Sequence, residues 1–519
     1  MVADEQSTSR KVGSVMTGFG KDRDRKVIPR WRTFSETLKF KELDALATPQ
    51  TSKHIFSDSD FLTSKVKEWE KHQTVGHASD LVGAALTLGR QTEVSEAAKF
   101  LLRSCSKVPP WAKELAERAL RPADNTVSIL DPPNVESSNL YAQVRSLREL
   151  VRAESRDPIT WVELSRAYTT LGQNEKADRT MGVALQLATN NRFVLRSAGR
   201  LWVHMEDPEK AHDAIVRSER TPYDPWLLAA EIAIGSICNR RSKYIKTARR
   251  MLSDKRFSNY NISELASAVA TLEKDYGNKR KSERLFRLSL EDPTENSIAQ
   301  ASWAARHDKA IRIDNKQFLE YSYTFEARSW SLYHDNQWEQ VITECRKWQF
   351  DQPFSSWPGI LGSYVAAVAL EDYETSLQFA RRGVMANRLD FTLLNNMAFA
   401  LGNLGRLDEA RKELSKARGL ASSSEDEVVL QATRGLLAFR GGDIEEGRRF
   451  YEAAIRTSAR IKDRRLFALA YFFYALQEHS YSGLENHSES VVSKSLQALN
   501  GMSDPISNAL KNKLTQAVM

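Results

Sequence analysis

Apolar residues recur at helical spacing along most of the chain, from about residue 56 almost to its end. Phe61, Val66 and Trp69 mark an early stretch of this kind, and residues 390–420 form a late one. Apolar residues three or four positions apart lie on one face of a helix, whereas a half-buried strand shows strict alternation. The sequence contains no alternating stretch of any length. The pattern therefore predicts an all-α protein.

The apolar pattern becomes a repeat in the middle of the chain. Large and small apolar residues fall at fixed intervals at Trp161, Leu164, Tyr168, Gly172, Ala177, Met181 and Ala184. Matching residues 34 positions apart are Tyr168 and Trp202, Ala177 and Ala211, and Ser376 and Ala410. A repeat of this length is typical of a helix pair that buries its apolar face only by stacking on neighbouring pairs.

Each repeat position has a physical role. Trp161 and Tyr168 are large enough to fill the gap between paired helices. The small residue Ser165 allows the second helix to approach, and Ala177 is expected where the two helices cross. Gly172 allows the chain to turn between them.

The intervals match the pattern W-x2-L-G-x2-Y, then A-x3-F and A, with Ser165 in place of the glycine and Met181 in place of the phenylalanine. The chain thus resembles the tetratricopeptide-repeat (TPR) superfamily over roughly Asp157 to Glu478. The resemblance implies a right-handed superhelical solenoid of TPR-like helix hairpins. We expect an extended basic N-terminal arm before it and a C-terminal capping helix after it.

Four regions are predicted along the chain. Residues 1–55 form a basic, largely extended or disordered arm, and residues 56–156 form degenerate TPR-like helices. Residues 157–480 form the TPR array, and residues 481–519 form a helical cap. Ile298 to Gln317 fits the repeat poorly, which predicts an irregular insertion or a bend.

The resemblance also nominates partner-binding residues, because the first helix of each TPR pair lines a groove. The nominated positions are Arg166, Arg196, Arg200, His204, Asn395, Asn396 and Phe399. Asn396 stands where TPR domains often carry an Asn that hydrogen bonds a peptide backbone. The three arginines would attract a carboxylate-rich partner. The alternative for each of these residues is a solvated position without a partner.

The N-terminal arm contains a second candidate contact. Residues 1–33 carry eight basic and four acidic side chains, a net charge of +4. Pro29, Arg30, Trp31 and Arg32 could present an aromatic knob flanked by cations to a partner. Alternatively, Trp31 packs back on the first repeat. The sequence leaves both possibilities open.

Composition adds few constraints. The 519 residues contain 75 Lys and Arg against 67 Asp and Glu, a mild net charge of +8 that does not form a dense basic stripe. Only 23 Gly and 15 Pro occur, which favours long helices. The N-terminus lacks the apolar run of a signal peptide, and no stretch approaches 18 apolar residues. We therefore expect a cytoplasmic protein without a membrane partner.

The sequence contains no HExxH or GxSxG motif, and its nine histidines are scattered without metal-ligand spacing. We predict no catalytic, cofactor-binding or metal-binding residues. The leading interpretation is a non-catalytic scaffold or adaptor that binds a protein or peptide, with an acidic segment as the expected partner. Two alternatives stay open: a regulatory or sensor subunit of a multi-protein complex, such as a bacterial defence complex, and a nucleic-acid-associated adaptor. The sequence does not indicate an oligomeric state.

Overall fold

The computed structural model describes most of the chain. The described residues are 25–37, 58–87, 94–104, 108, 110–120, 137–253, 257–308, 311, 321–482, 486–502 and 504–518. They fall into two compact units, an N-terminal unit (Arg25–Thr324) and a C-terminal unit that begins at Phe325. The boundary between the units lies inside the array predicted for residues 157–480.

The N-terminal unit contains fifteen α-helices in its described part. They are α1 (Phe34–Thr37), α2 (Asp58–Lys71), α3 (Val75–Thr87), α4 (Ser95–Arg103), α5 (Pro110–Leu120), α6 (Ser137–Ala153), α7 (Pro158–Thr170), α8 (Asn174–Leu187), α9 (Arg192–His204), α10 (Pro208–Arg217), α11 (Pro225–Ile237), α12 (Ile245–Ser253), α13 (Asn259–Asp275), α14 (Lys279–Ser289) and α15 (Glu295–His307). From α7 onwards the helices pair as α7–α8, α9–α10, α11–α12 and α13–α14, and α15 packs on α13.

The C-terminal unit contains eleven α-helices in its described part. They are α16 (Phe325–His334), α17 (Trp338–Asp351), α18 (Ser356–Val368), α19 (Tyr373–Ala386), α20 (Phe391–Asn403), α21 (Leu407–Arg418), α22 (Ser424–Arg440), α23 (Ile444–Arg460), α24 (Arg464–Ser482), α25 (Asn486–Asn500) and α26 (Ser507–Val518). Consecutive helices from α16 to α25 form hairpins, and α26 packs against α24 and α25.

Helix starts follow local chemistry. Asp157, Asp207 and Asp224 each cap a helix with the side-chain carboxylate, and each is followed by a proline at the first helical position. The carboxylate accepts hydrogen bonds from otherwise unpaired backbone N–H groups, and proline has no N–H to leave unpaired. These Asp-Pro pairs therefore fix where α7, α10 and α11 begin.

The small residues predicted at the contact between paired helices are buried at that contact. Ser165 and Ala177 are fully buried, and the hydroxyl of Ser165 donates to the carbonyl of Ala177 at 2.8 Å. Ser376 makes the same type of bond to the carbonyl of Ser363 at 2.9 Å in the C-terminal unit. Such short contacts hold paired helices close together. Gly172 turns the chain between α7 and α8 with a φ of 64°, a conformation that favours glycine.

The prediction of an all-α chain built of helix hairpins is confirmed, and the described residues contain no strand. Ile298, where we expected an insertion or a bend to begin, lies within the regular helix α15. No helix in the described part of the chain is both long and apolar enough to cross a bilayer.

Candidate functional site

A mostly non-helical segment of the chain lies against the first helices of successive hairpins in the N-terminal unit. We call residues 25–37 the docked segment; only its last four residues are helical, as α1. We call the surfaces of α7, α9, α11, α13 and α15 that contact it the receiving face. The contacts join residues that are between 129 and 275 positions apart in sequence.

Side-chain amides on α15 bind the backbone of the docked segment. Asn296 Nδ2 donates to the carbonyl of Ile28 at 2.9 Å, and Gln300 Nε2 donates to the carbonyl of Arg25 at 3.0 Å. Both amides are buried, and they lie one helical turn apart. An extended chain exposes its backbone carbonyls, and amide side chains can bind them whatever the neighbouring side chains are.

Helix α7 binds the other end of the segment in a similar way. Glu163 Oε1 accepts a hydrogen bond from the backbone N–H of Phe34 at 2.5 Å, and Arg166 Nε donates to the carbonyl of Trp31 at 3.3 Å. Burial raises the pKa of Glu163 to about 7, although Arg166 and the bond from Phe34 act in the opposite direction. Four backbone groups of the segment are thus held by four side chains from two helices.

The basic side chains of the segment pair with acceptors on the receiving face. Arg32 Nη1 lies 2.6 Å from Glu295 Oε1, and both side chains are at most one tenth exposed. Burial alone would raise the pKa of Glu295, but the guanidinium groups of Arg32 and Arg30 hold it below its usual value. A buried carboxylate that stays charged requires such compensation.

The first two basic residues of the segment also have partners. Arg25 donates to the side-chain oxygens of Gln300 and, at 3.2 Å, of Asn296. Lys26 Nζ lies 2.8 Å from Asp275 at the end of α13, and this pair is partly exposed. Cations therefore meet oxygen acceptors at both ends of the segment.

Apolar side chains alternate with these charges. Val27 is 1% exposed and belongs to a buried cluster that includes Ile232 of α11, Leu265 of α13 and Trp303 of α15. The ring of Phe34 meets the ring of Phe193 of α9 edge to face, with 5.1 Å between centroids. The segment therefore contributes buried apolar area as well as ion pairs.

The location of Trp31 decides between the two sequence-based possibilities. Trp31 and Pro29 are buried, with Trp31 only 1% exposed, and Arg32 is 4% exposed. Arg30 is partly buried beside Glu295. The expectation that these four residues present an exposed knob to a partner is corrected, because the side chains face the protein's own helices.

Arg196 also differs from its predicted role. Its guanidinium group is 4% exposed and forms two hydrogen bonds to Glu264 on α13, at 3.0 and 3.4 Å. It also lies over the ring of Trp226, with 4.9 Å to the centroid. Arg196 therefore joins α9, α11 and α13, and it offers no exposed charge to an acidic partner.

Arg200 and His204 continue along α9 and are partly buried. Burial and the charge of Arg200 lower the pKa of His204 to about 3, so the imidazole is neutral at pH 7. Of the three arginines nominated together, Arg166 binds the segment's backbone, Arg196 is in an ion pair, and Arg200 lies one turn beyond Arg196.

The nominated residues of the C-terminal unit line a small cavity of about 10 Å³. Asn395, Asn396 and Phe399 of α20 face Ser363 and Tyr364 of α18 there. The amide of Asn396 donates to Ser363 Oγ at 2.9 Å, which differs from the predicted bond to a peptide backbone. Asn395 is 1% exposed, and neither of its side-chain amide atoms has a hydrogen-bond partner.

Later helices of the same unit close this cavity. Phe473 of α24 packs edge to face on Phe399, with 5.1 Å between centroids. Arg465, at the start of α24, donates to the hydroxyl of Tyr364 at 3.1 Å and pairs with Asp504 at 2.6 Å. A cavity of this volume accommodates about one water molecule and no peptide.

The sequence analysis missed the carboxylates and amides that receive the docked segment. Glu163 and Gln300, which bind the docked segment, and Glu264, which binds Asn296 and Arg196, each lie six residues after the cap of a first helix, as Asn396 does. The sequence therefore did contain a signal for these residues, because counting six residues from each helix cap assigns all four to the same position of a first helix. The carboxylates of this face bind a basic segment of the same chain.

The described residues contain no group of three or more His, Cys, Asp or Glu side chains arranged to hold a metal ion. The receiving face is instead suited to binding a polypeptide chain, since its contacts are hydrogen bonds to backbone groups, ion pairs and apolar sites.

No protein-family model and no curated protein matches the sequence. The structure is similar to several solved proteins at low identity. The APC/C hetero-tetramer Cut9–Hcn1 shares 11% identity, with 93% of this chain and 96% of that chain covered and a TM-score of 0.40. Yeast Tom70 shares 13% identity, with 93% of this chain and 96% of that chain covered and a TM-score of 0.29. The human IFIT1 dimer with PPP-AAAA shares 12% identity, with 91% of this chain and 98% of that chain covered and a TM-score of 0.30.

The 34-residue period, the paired helices and the small seam residues of this chain define the class of protein. It is an all-α helix-hairpin repeat protein whose residue spacing resembles that of TPR repeats.

Proposed function

We propose that the protein is a non-catalytic scaffold that binds an extended segment of a partner protein along the receiving face. The observation that supports this is the recognition of four backbone groups of residues 25–37 by Asn296, Gln300, Glu163 and Arg166. A surface that binds backbone groups through side chains is built to hold an extended polypeptide. The alternative role as a subunit of a larger assembly is compatible with this binding mode.

The charges of the receiving face favour a protein partner over nucleic acid. Glu295 and Asp275 each form an ion pair with a cation of the docked segment. Carboxylates at these positions would repel a phosphodiester backbone, whereas binding of nucleic acid depends on neutralising phosphates with cations. The proposal therefore concerns a polypeptide.

Site-specific photo-cross-linking in the native cells tests the proposal. The cross-linking residue replaces Arg200 on first helix α9, in the otherwise wild-type chain and in a chain that also carries R32E. A matched probe replaces Arg179, which is exposed on second helix α8. We expect discrete partner proteins to be linked from position 200 and not from position 179. Equal cross-linking from both positions, or none from position 200 in either chain, would refute the proposal.

A further inference from the structure

The docked segment has the contact pattern of a ligand. Arg25 and Arg32 bind polar acceptors, Val27 and Trp31 are buried, and Phe34 packs edge to face on an aromatic ring. Backbone groups of Arg25, Ile28, Trp31 and Phe34 are hydrogen bonded as well. In peptide recognition, backbone hydrogen bonds provide affinity and side-chain sites provide specificity, and the receiving face provides both.

The charges of the two surfaces are complementary. The segment carries four basic side chains, Arg25, Lys26, Arg30 and Arg32, and one acidic side chain, Glu36. The receiving face places carboxylates opposite them. An uncharged occupant would cover Glu295 without supplying the two guanidinium groups that now stabilise its charge, and would leave a desolvated carboxylate uncompensated. The face therefore selects a basic occupant.

The position of the segment in the chain makes it replaceable. It precedes α2, and it supplies no helix to the pairs from α7 to α14. Each of those pairs is held together by contacts between its own two helices, such as the Ser165–Ala177 hydrogen bond. The occupant of the receiving face can therefore change while each hairpin keeps its internal bonds.

We infer that residues 25–37 are an intramolecular ligand, and that the partner of the receiving face is an extended protein segment in which basic residues alternate with aliphatic and aromatic ones. This inference rests on the proposed function and specifies its partner. A tethered segment acts at an effective concentration in the millimolar range, so a free partner competes at a disadvantage. Weakening the tethered segment opens the face to the partner.

Peptide binding to the full-length chain tests the inference. The probe is a fluorescently labelled synthetic peptide with the sequence of residues 25–37, and binding is followed by anisotropy. The chain is used as wild type, as R32E, which opposes Glu295 with a like charge, and as R179E, which makes the same charge change on the exposed side of α8. We expect the peptide to bind R32E at least tenfold more tightly than wild type or R179E. A control peptide carrying R32E should bind none of the three.

Hydrogen exchange of the wild-type chain gives a second readout that does not depend on how a variant folds. Excess unlabelled peptide should accelerate exchange at residues 25–37 while α7, α13 and α15 stay protected. Exchange of residues 25–37 only together with those helices would show that the segment is an inseparable part of the core. That result, or equal peptide affinity for R32E and R179E, would overturn the inference.

The two proposals can fail separately. If position 200 links partner proteins but the peptide does not bind R32E, the scaffold function stands and the assigned partner chemistry is wrong. If the peptide binds R32E and position 200 links no protein in cells, the receiving face recognises such segments but the scaffold function is wrong.

Discussion

Asn296 donates its side-chain amide to the backbone carbonyl of Ile28 at 2.9 Å, although the two residues are 268 positions apart in the sequence. The same amide nitrogen lies 3.2 Å from Glu264, and its oxygen accepts from Arg25. One buried side chain thus joins the docked segment to α13 and α15.

Asn296→Ala should release this part of the docked segment. The change leaves the carbonyl of Ile28 and the guanidinium group of Arg25 each without one partner, and a buried unpaired polar group costs about 1–3 kcal/mol. We expect a lower urea midpoint and faster hydrogen exchange at residues 25–30. Asn259→Ala, which removes only an exposed bond to Glu291, is the matched control. Equal effects of the two changes would contradict the assigned role.

The Arg196–Glu264 pair should behave as a buried structural ion pair. Glu264→Gln leaves a buried guanidinium group poorly compensated, and breaking such a pair costs about 3–5 kcal/mol. Breaking the exposed pair Arg179–Glu175 should cost less than about 1 kcal/mol. A double-mutant cycle on unfolding free energies measures both couplings. Similar couplings for the two pairs would rule out a structural role for Arg196.

Stability should fall as the pH rises because of Glu163. Its folded-state pKa is about 7, above the ordinary glutamate value of 4.5. Between these values the folded chain holds a proton that the unfolded chain has lost. The stabilisation is therefore complete below pH 4.5, declines as the pH rises and is lost above pH 7, and its full size is about 3 kcal/mol.

Glu163→Gln provides the check on this pH dependence. The amide does not titrate, while Arg166 and Glu36, the charged neighbours of Glu163, stay in place. Urea midpoints measured from pH 5 to pH 8 should decline less steeply for the variant than for the wild type. Parallel profiles would show that Glu163 does not titrate in this range.

Close approach of paired helices should make Gly435 intolerant of a side chain. A Cβ atom there would lie 2.7 Å from the ring of Tyr451 on α23. We expect Gly435→Ala to lower stability by about 1–3 kcal/mol through overpacking. Gly182→Ala on α8, where nothing lies within 4 Å, should raise stability by roughly 0.5–1 kcal/mol. Melting temperatures of both variants, measured by calorimetry, test the expected difference in stability. Equal melting temperatures would show that α22 and α23 can move apart to admit the side chain.

The buried amide of Asn395 should make the C-terminal unit less stable than an apolar side chain at this position would. Both atoms of its amide are buried without a partner, so Asn395→Leu removes two unsatisfied polar groups at similar volume. We expect the melting temperature to rise, with a gain of about 1 kcal/mol, whereas Asn396→Leu should lower it because the bond to Ser363 is lost. A loss of stability in Asn395→Leu would show that the amide is bonded to water in the cavity.

The sequence predicted the helix pairs because their requirements are local. Ser165 and Ala177 had to be small where helices cross, and Gly172 had to turn the chain, so spacing alone identified them. The contacts of the candidate site could be predicted less well from the sequence. Arg196 lies on the expected helix, but its partner Glu264 is two hairpins away, and no local pattern reveals that ion pair.

The docked segment was the least predictable element. Its charges and Trp31 were recognised, yet spacing within residues 25–37 contains no information about Glu295 or Asn296. Docking depends on complementarity between regions that are distant in sequence, and only the assembled helices bring those regions together. Counting from the helix caps would have placed Glu163, Glu264 and Gln300 at one helix position, but it would not have shown what each of them binds.

The 268-residue separation between Ile28 and Asn296 also has a consequence for biosynthesis. A ribosome that adds 5–20 residues per second needs roughly 15–50 seconds to make the intervening chain. During that time the nascent N-terminal region has no α15 to bind, and its Val27 and Trp31 side chains lack their final surroundings. Newly made protein is therefore open to chaperones and to early capture by other molecules at this stretch.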